Sequence, residues 1–240
     1  MMSSARTCEA VTELVVRPLL RADYAPVWRA MQAFTDQRTP AAPDELWLIE
    51  HPPVYTLGRS AKMEHLLRPT DIPVIASDRG GQITYHGPGQ LVAYLLCDLS
   101  RLGLGVRPFV HLIENVVIDV LAGYGITGSA RRDAPGVYVN AQKIAALGLR
   151  VRRGCSYHGL SLNVAMDLAP FEAINPCGYP GLGVTQISAL GGPGDLAVVA
   201  DALVRQFKTR AGYATVRYTA PLTLDDPAPN SPMHPQATHG

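Results

Sequence analysis

KIAALGLRVRRGCSYHGLSLNV, residues 143–164, holds two strand-like runs in close succession, KIAALGLRV (143–151) and GLSLNV (159–164). Both have the length and apolar continuity of strands. Similar runs occur at ELWLIE (45–50), PVYTLG (53–58), IPVIAS (72–77), QITYH (82–86), QLVAYLLCDL (90–99) and GVYVN (136–140). Helical spacing is rarer. Asp23 is placed to cap a helix running to about Gln37. Phe109, Val110, Ile113, Val117 and Val120 mark a second helix over about 108–122, and Leu196, Val199, Leu203 and Phe207 a third over about 195–210. Strands outnumber helices and follow one another. That predicts an α+β fold with a mixed or antiparallel sheet, not a doubly wound parallel one.

The 240 residues suit one domain with appended tails. Hydrophobic residues make up 47% and charged residues 17%, enough for a sizeable core. A formal net charge of +1 argues against a dedicated nucleic-acid binder. No apolar run approaches the ~18 residues that span a bilayer. The start, MMSSARTCEA, lacks the apolar stretch of a secretory signal. A soluble cytoplasmic protein is the expectation. Residues 1–11 read as a flexible N-terminus and 12–218 as the folded, catalytic domain. Residues 219–240, with five prolines, read as a disordered tail.

The four cysteines, Cys8, Cys97, Cys155 and Cys177, form no C-x-x-C pair. Cys97 lies inside an apolar strand and reads as a small buried hydrophobe. Cys8 falls in the loose start, and Cys155 leans structural. Cys177 differs. It stands in NPCGYPGLG (175–183), where Pro176 and Gly178 stiffen the backbone around it. A rigid loop presenting a thiol is a way to hold a nucleophile. Cys155, His158 and Cys177 do not make a closed set of four ligands at familiar spacing, so no metal is expected.

DRGGQITYHGPGQL (78–91) is rich in glycine, which lets a ligand approach the backbone closely. It matches neither a dinucleotide fingerprint nor a phosphate loop. On their own, His86 and His158 read either as structural histidines or as site groups, and Lys143 as a strand-end lysine.

Taken together, RGGQITYHGPGQL, KIAALG followed by YHGLSLNV, and INPCGY resemble the octanoyltransferases of lipoate biosynthesis, the lipoyl(octanoyl) transferase (LipB) family. The resemblance covers about 46–190. It implies the biotin/lipoate protein ligase-like fold, a mixed sheet flanked by helices. It implies transfer of octanoyl from octanoyl-acyl carrier protein to a lysine of lipoyl domains, those of 2-oxoacid dehydrogenases and of the glycine cleavage H protein. It implies that Cys177 carries an acyl-thioester intermediate and that Lys143 is its catalytic partner. The substrate-binding residues it implies are Arg79, Gly80, Gly81, Gln82, Ile83, Thr84, Tyr85 and His86, then Ala146, Leu147 and Gly148, then Gly159, Leu160 and Ser161. No cofactor is implied, because a thioester donor needs no ATP. The alternative is an ATP-dependent lipoate or biotin-type ligase of the same fold. Carrier proteins and lipoyl domains are acidic, so Arg150, Arg152 and Arg153, with Arg131 and Arg132 second, are the expected docking patch.

Overall fold

The computed structural model describes residues 13–69, 71–222 and 224. Within them, eight strands form one sheet in the order β11-β1-β2-β6-β10-β9-β8-β7, and β4-β3-β5 form a second. The main sheet comprises β1 (Glu13–Arg21), β2 (Asp44–Glu50), β6 (Gln90–Leu96), β7 (Ser129–Ala130), β8 (Gly136–Val139), β9 (Gln142–Arg152), β10 (Cys155–Asn163) and β11 (Thr215–Tyr218). The small sheet comprises β3 (Val54–Leu57), β4 (Val74–Ala76) and β5 (Thr84–His86). β1 runs parallel to β2 and β11, and β3 to β4; the other pairs are antiparallel. The mixed α+β sheet expected from the order of strands is what forms.

Three helices flank it: α1 (Tyr24–Gln37), α2 (Val106–Ala122) and α3 (Leu196–Ala211). Asp195 caps α3 by accepting from the Ala197 N–H at 2.8 Å. Asp23 occupies the cap position of α1 but makes no side-chain cap bond. One face of the main sheet packs on α2 and α3 through Leu46, Leu91, Ala93 and Leu160 against Phe109, Ile113, Leu203 and Phe207. The opposite face carries the alternate residues Trp47, Ile49, Val92, Tyr94 and Tyr157, against Tyr24, Val27 and Met31 of α1.

ELVVRPLLR (13–21) carries a proline and does not read as a strand, yet it is β1. β11 pairs only with Glu13–Val16, so Pro18 lies beyond its reach. Against β2 the register shifts between Arg17 and Leu20. Pro18, which lacks an N–H, thus sits where no ladder bond is asked of it. Ordered packing also runs past residue 218. The Thr219 N–H donates to Val16 O at 3.0 Å, and Leu222 and Leu224 pack against the α1 side. Cys8 with all of residues 1–12, and residues 225–240, lie outside the described residues.

Cys97 is fully buried, and burial holds its thiol far above the ordinary range. Cys155 begins β10, and burial raises its thiol as well. Neither is a ready nucleophile.

Candidate active site

The cavity of interest opens on the α1 side of the sheet. Its floor is two rows of residues in register across three strands. Tyr94, Gly159 and Gly148 form one row, and Val92, Ser161 and Ala146 the other. Its roof is the segment 79–86, laid over β9 by a bond from the Gly80 N–H to Leu149 O at 3.0 Å. Gly148 makes this stacking possible, and Gly159 allows a close approach to β6 within the floor. A β-carbon on Gly148 would lie 2.8 Å from Gly80 O, and one on Gly159 would lie 2.0 Å from Ala93 O. The cavity between floor and roof has a volume of about 50 Å³.

Most of the expected substrate residues line it: Arg79, Gly81, Gln82, Ile83, Thr84 and His86, with Ala146, Leu147, Gly148, Gly159, Leu160 and Ser161. Gly80 and Tyr85 do not. Tyr85 points to the other side of β5, between Tyr55 and Phe171, because side chains alternate along a strand. The N–H groups of Gly80 and Gly178 are bonded to Leu149 O and Asn175 O, so neither is a ready oxyanion donor.

Four lining residues were not among the expected substrate residues: Tyr24, Val92 and Tyr94, which lie outside the motifs, and His158, which stands within YHGLSLNV. Val92 and Tyr94 share a face of β6, a period-2 signal that the apolar run QLVAYLL hides. His158 has φ 58 within β10, a left-handed geometry unusual for a side-chain-bearing residue. Its Nε2 lies 2.9 Å from Asp78 Oδ1. Asp78 also accepts from Trp28 Nε1 at 2.8 Å and from the Tyr157 hydroxyl. Burial alone would raise the Asp78 carboxyl. The bonds from His158 and Tyr157 outweigh it and hold the group well below the carboxylate range. Asp78 thereby ties α1 to β10 at the rim of the cavity.

A buried polar chain supports the cavity. Arg79 Nε donates to Thr56 Oγ1 at 3.0 Å, and its Nη2 donates to Gln82 O at 2.7 Å. Much of its guanidinium thus shapes the roof. The Thr56 hydroxyl meets His86 Nε2 at 3.3 Å, and His86 Nδ1 meets Gln90 Oε1 at 2.7 Å. Gln90 Nε2 donates to Asn163 Oδ1 at 2.9 Å, and Asn163 Nδ2 to Thr185 O at 3.0 Å. Nearby, His51 Nδ1 donates to Ala22 O at 2.6 Å and Nε2 accepts from the Tyr94 hydroxyl at 2.7 Å. Burial pushes His51 down to about 4. Burial, then the proximity of His51, pushes His86 down to about 3.

Stability should follow from those two histidines. Both are neutral in the folded chain, while an unfolded histidine titrates near ~6.5. Below that pH the unfolded state binds protons that the folded state refuses, so stability is lost as pH falls. The unfolding free energy should drop by up to about 2.7 kcal/mol per pH unit between pH ~6 and ~4. Urea midpoints at pH 7, 5.5 and 4.5 measure this. A flat series would mean that the two rings are protonated in the native fold.

A second, smaller space shares Thr84, Ala146 and Ser161 with the first and adds Lys143, Asn163 and Pro176. Lys143 is 3% exposed, on β9. Its Nζ donates to Pro135 O at 3.1 Å and stands 5.2 Å from the centre of the Tyr138 ring. Gly136, φ 144, leaves it room: a β-carbon there would lie 2.5 Å from Lys143 Cε. Pro176, Cys177 and Gly178 form a short 3₁₀ turn. The Cys177 side chain lies outside the described residues. Lys143 and the residue before Cys177 nevertheless line one space, which borders the main cavity and shares three of its lining residues.

The model of the lipoyl protein ligase A/B catalytic domain matches residues 23–208. The chain belongs to this family. An octanoyltransferase of Vibrio vulnificus (strain YJ016) is 58% identical over 207 residues, 86% of this chain and 95% of that protein. Among solved structures, lipoate-protein ligase A bound with ATP superposes with a TM-score of 0.73 at 14% identity, covering 87% of this chain and 89% of that one. A bipartite lipoate protein ligase from Thermoplasma acidophilum, described with its E2 lipoyl domain, gives 0.70 at 15%, covering 87% and 86%. The family's fold is therefore the fold found here, with the cavity on the sheet face away from α2 and α3.

The expected docking arginines differ among themselves. Arg152 and Arg153 are exposed and both bind Asp36, at 2.9 and 3.0 Å. Arg150 is half-buried opposite Tyr157, with its Nε buried. Arg131 pairs with Asp133.

Proposed function

We propose that this acyltransferase moves an octanoyl group from octanoyl-acyl carrier protein to the lysine of lipoyl domains through an acyl thioester on Cys177. One observation carries the reading. A glycine-floored cavity borders the space shared by Lys143 and Pro176, with Thr84, Ala146 and Ser161 lining both.

A cysteine with an ordinary pKa of ~8.5 is only about 3% thiolate at pH ~7. Making it mostly thiolate means a shift of ~2 units, about 2.7 kcal/mol. An ammonium at ~4 Å in an effective dielectric of ~20 supplies about 4 kcal/mol. One lysine is a sufficient cause. The thiolate attacks the donor thioester, the carrier thiol leaves, and the acyl chain stays in the cavity. Lys143 then releases its proton and serves as base for the incoming amine. Exchange of one thioester for another is nearly even in free energy, and amide formation runs downhill, so no ATP enters.

The test is the intact mass of the protein. Mixing with octanoyl-acyl carrier protein should add one octanoyl group, removable by neutral hydroxylamine. Free octanoate with ATP should add none. The reverse result would assign the chain to the ATP-dependent ligases.

Arg152 and Arg153 serve as the docking charges in this reading. Their exposed pairs with Asp36 hold only ~0–1 kcal/mol, so exchange for acids on a carrier costs little. Reversing both to glutamate should raise KM for the carrier several-fold at low salt and leave kcat alone, an effect that fades above ~0.1 M salt. Unchanged KM at low salt would place docking on another face.

A further inference from the structure

One histidine stands in the cavity against the alternation of its own strand. Along β10, Ser161 and Gly159 floor the cavity and Tyr157 packs on the α1 side, while Leu160 and Leu162 belong to the core under α2 and α3. Alternation would put His158 with the leucines. Its φ of 58 reverses that, and the ring comes out beside Tyr157 and Tyr94 as part of the cavity lining.

The ring is fixed there. His158 is 1% exposed, and its Nε2 lies 2.9 Å from Asp78 Oδ1. The Tyr157 ring stacks on it with centroids 5.0 Å apart, and the Tyr94 ring meets it edge-on at 6.1 Å. Asp78, held by Trp28 and Tyr157 as well, is ionised and only accepts, so Nε2 carries the proton and donates it. Burial outweighs that carboxylate and lowers the ring below its ordinary range, so it is neutral near pH ~7. Nδ1 is left buried with no hydrogen-bond partner. A left-handed residue inside a strand and an unmet buried nitrogen both work against folding. A leucine facing the α2 side would incur neither. Local rules broken in this way mark a functional position.

The place of the ring along the cavity says which function. Thr84, Ala146 and Ser161, shared with the Lys143 space, mark the reactive end. On β10 the ring stands three residues from Ser161, or ~10 Å at ~3.4 Å per residue. An extended octanoyl chain spans ~9 Å from carbonyl carbon to methyl, at ~1.5 Å per bond in a zigzag. A chain whose carbonyl lies beside Ser161 therefore ends against the imidazole. Behind the ring is Asp78, whose side chain is 29% exposed, so loss of the ring opens this end toward the surface.

We propose that His158 is the end wall that sets the longest acyl chain the cavity accepts, with Asp78 as its positioning residue. This rests on the acyl-transfer reading and does not depend on where the Cys177 thiol lies. A longer chain has to displace a ring that is bonded on one side and stacked on the other, whereas a shorter one leaves the end unfilled.

The experiment lets donors compete. Acyl carrier protein loaded with hexanoyl, octanoyl, decanoyl or dodecanoyl is mixed in equal amounts with the enzyme and a lipoyl domain, and the intact mass of the domain counts each product. All four donors dock through the same carrier, so the ratios report the cavity. His158→Gly fits the positive φ and removes the ring, and His158→Asn tolerates the same φ with a shorter side chain. Both should raise the decanoyl-to-octanoyl ratio roughly tenfold or more, glycine above asparagine, and leave hexanoyl-to-octanoyl within about threefold. A decanoyl ratio that does not move, or a loss of all four products in proportion, would reduce His158 to a structural residue and overturn the proposal. So would equal relaxation toward shorter and longer chains. Wild type that transferred none of the four would sink the acyl-transfer reading itself, and the end wall with it.

Discussion

Cys177→Ser is expected to fold like the wild type and to lose transfer by roughly three orders of magnitude or more. The turn does not depend on the thiol. It is held by backbone bonds, Gly178 N–H to Asn175 O at 2.9 Å, Tyr179 N–H to Pro176 O at 3.1 Å and Asn175 N–H to His65 O at 2.9 Å. Serine keeps the size of the side chain, but no neighbouring ammonium makes its hydroxyl an anion near pH 7. Circular dichroism and the melting midpoint should therefore be unchanged, and the octanoyl adduct should be absent. A serine variant with wild-type turnover would remove Cys177 from the mechanism.

The second large effect is expected at Lys143. Lys143→Met keeps the stem and removes the charge, and should cut transfer about a hundredfold or more, the loss of ~2.7 kcal/mol of thiolate stabilisation. The same variant should need a pH about two units higher to alkylate Cys177 with iodoacetamide. Lys143→Arg separates charge from proton transfer. Arginine keeps the cation but does not give up its proton, so alkylation at neutral pH should persist while the amine step fails. Arginine is also larger, and Gly136 and Pro135 lie close against the Lys143 head. The alkylation rate is the control for that crowding: retained alkylation with lost transfer assigns Lys143 as base. An arginine variant active in both assays would leave Lys143 a purely electrostatic role.

Some of this was legible before any coordinates. The three helices are written in 3.6-residue spacing, because a helix buries one stripe and its pattern is local. The strands of the α+β sheet are written as short apolar runs. The Cys177 turn is written in Pro176 and Gly178, whose backbone restrictions act on neighbours along the chain. The motif stretches also located the segments that floor and roof the cavity.

What the string of residues left open depends on partners far away in it. Pro18 stands inside β1, and only the limited reach of β11 and the irregular register with β2 show why it is tolerated. Tyr85 shares a motif with Thr84 and His86 but faces elsewhere, because each step along a strand reverses the side chain. Arg152 and Arg153 look like free cations until α1 brings Asp36 beside them. Tyr24 joins the cavity from a helix more than fifty residues before the motif at 79–86. Local physics writes the elements and the reactive groups into the sequence. Which groups stand face to face is set by strand order and register, which no local pattern encodes.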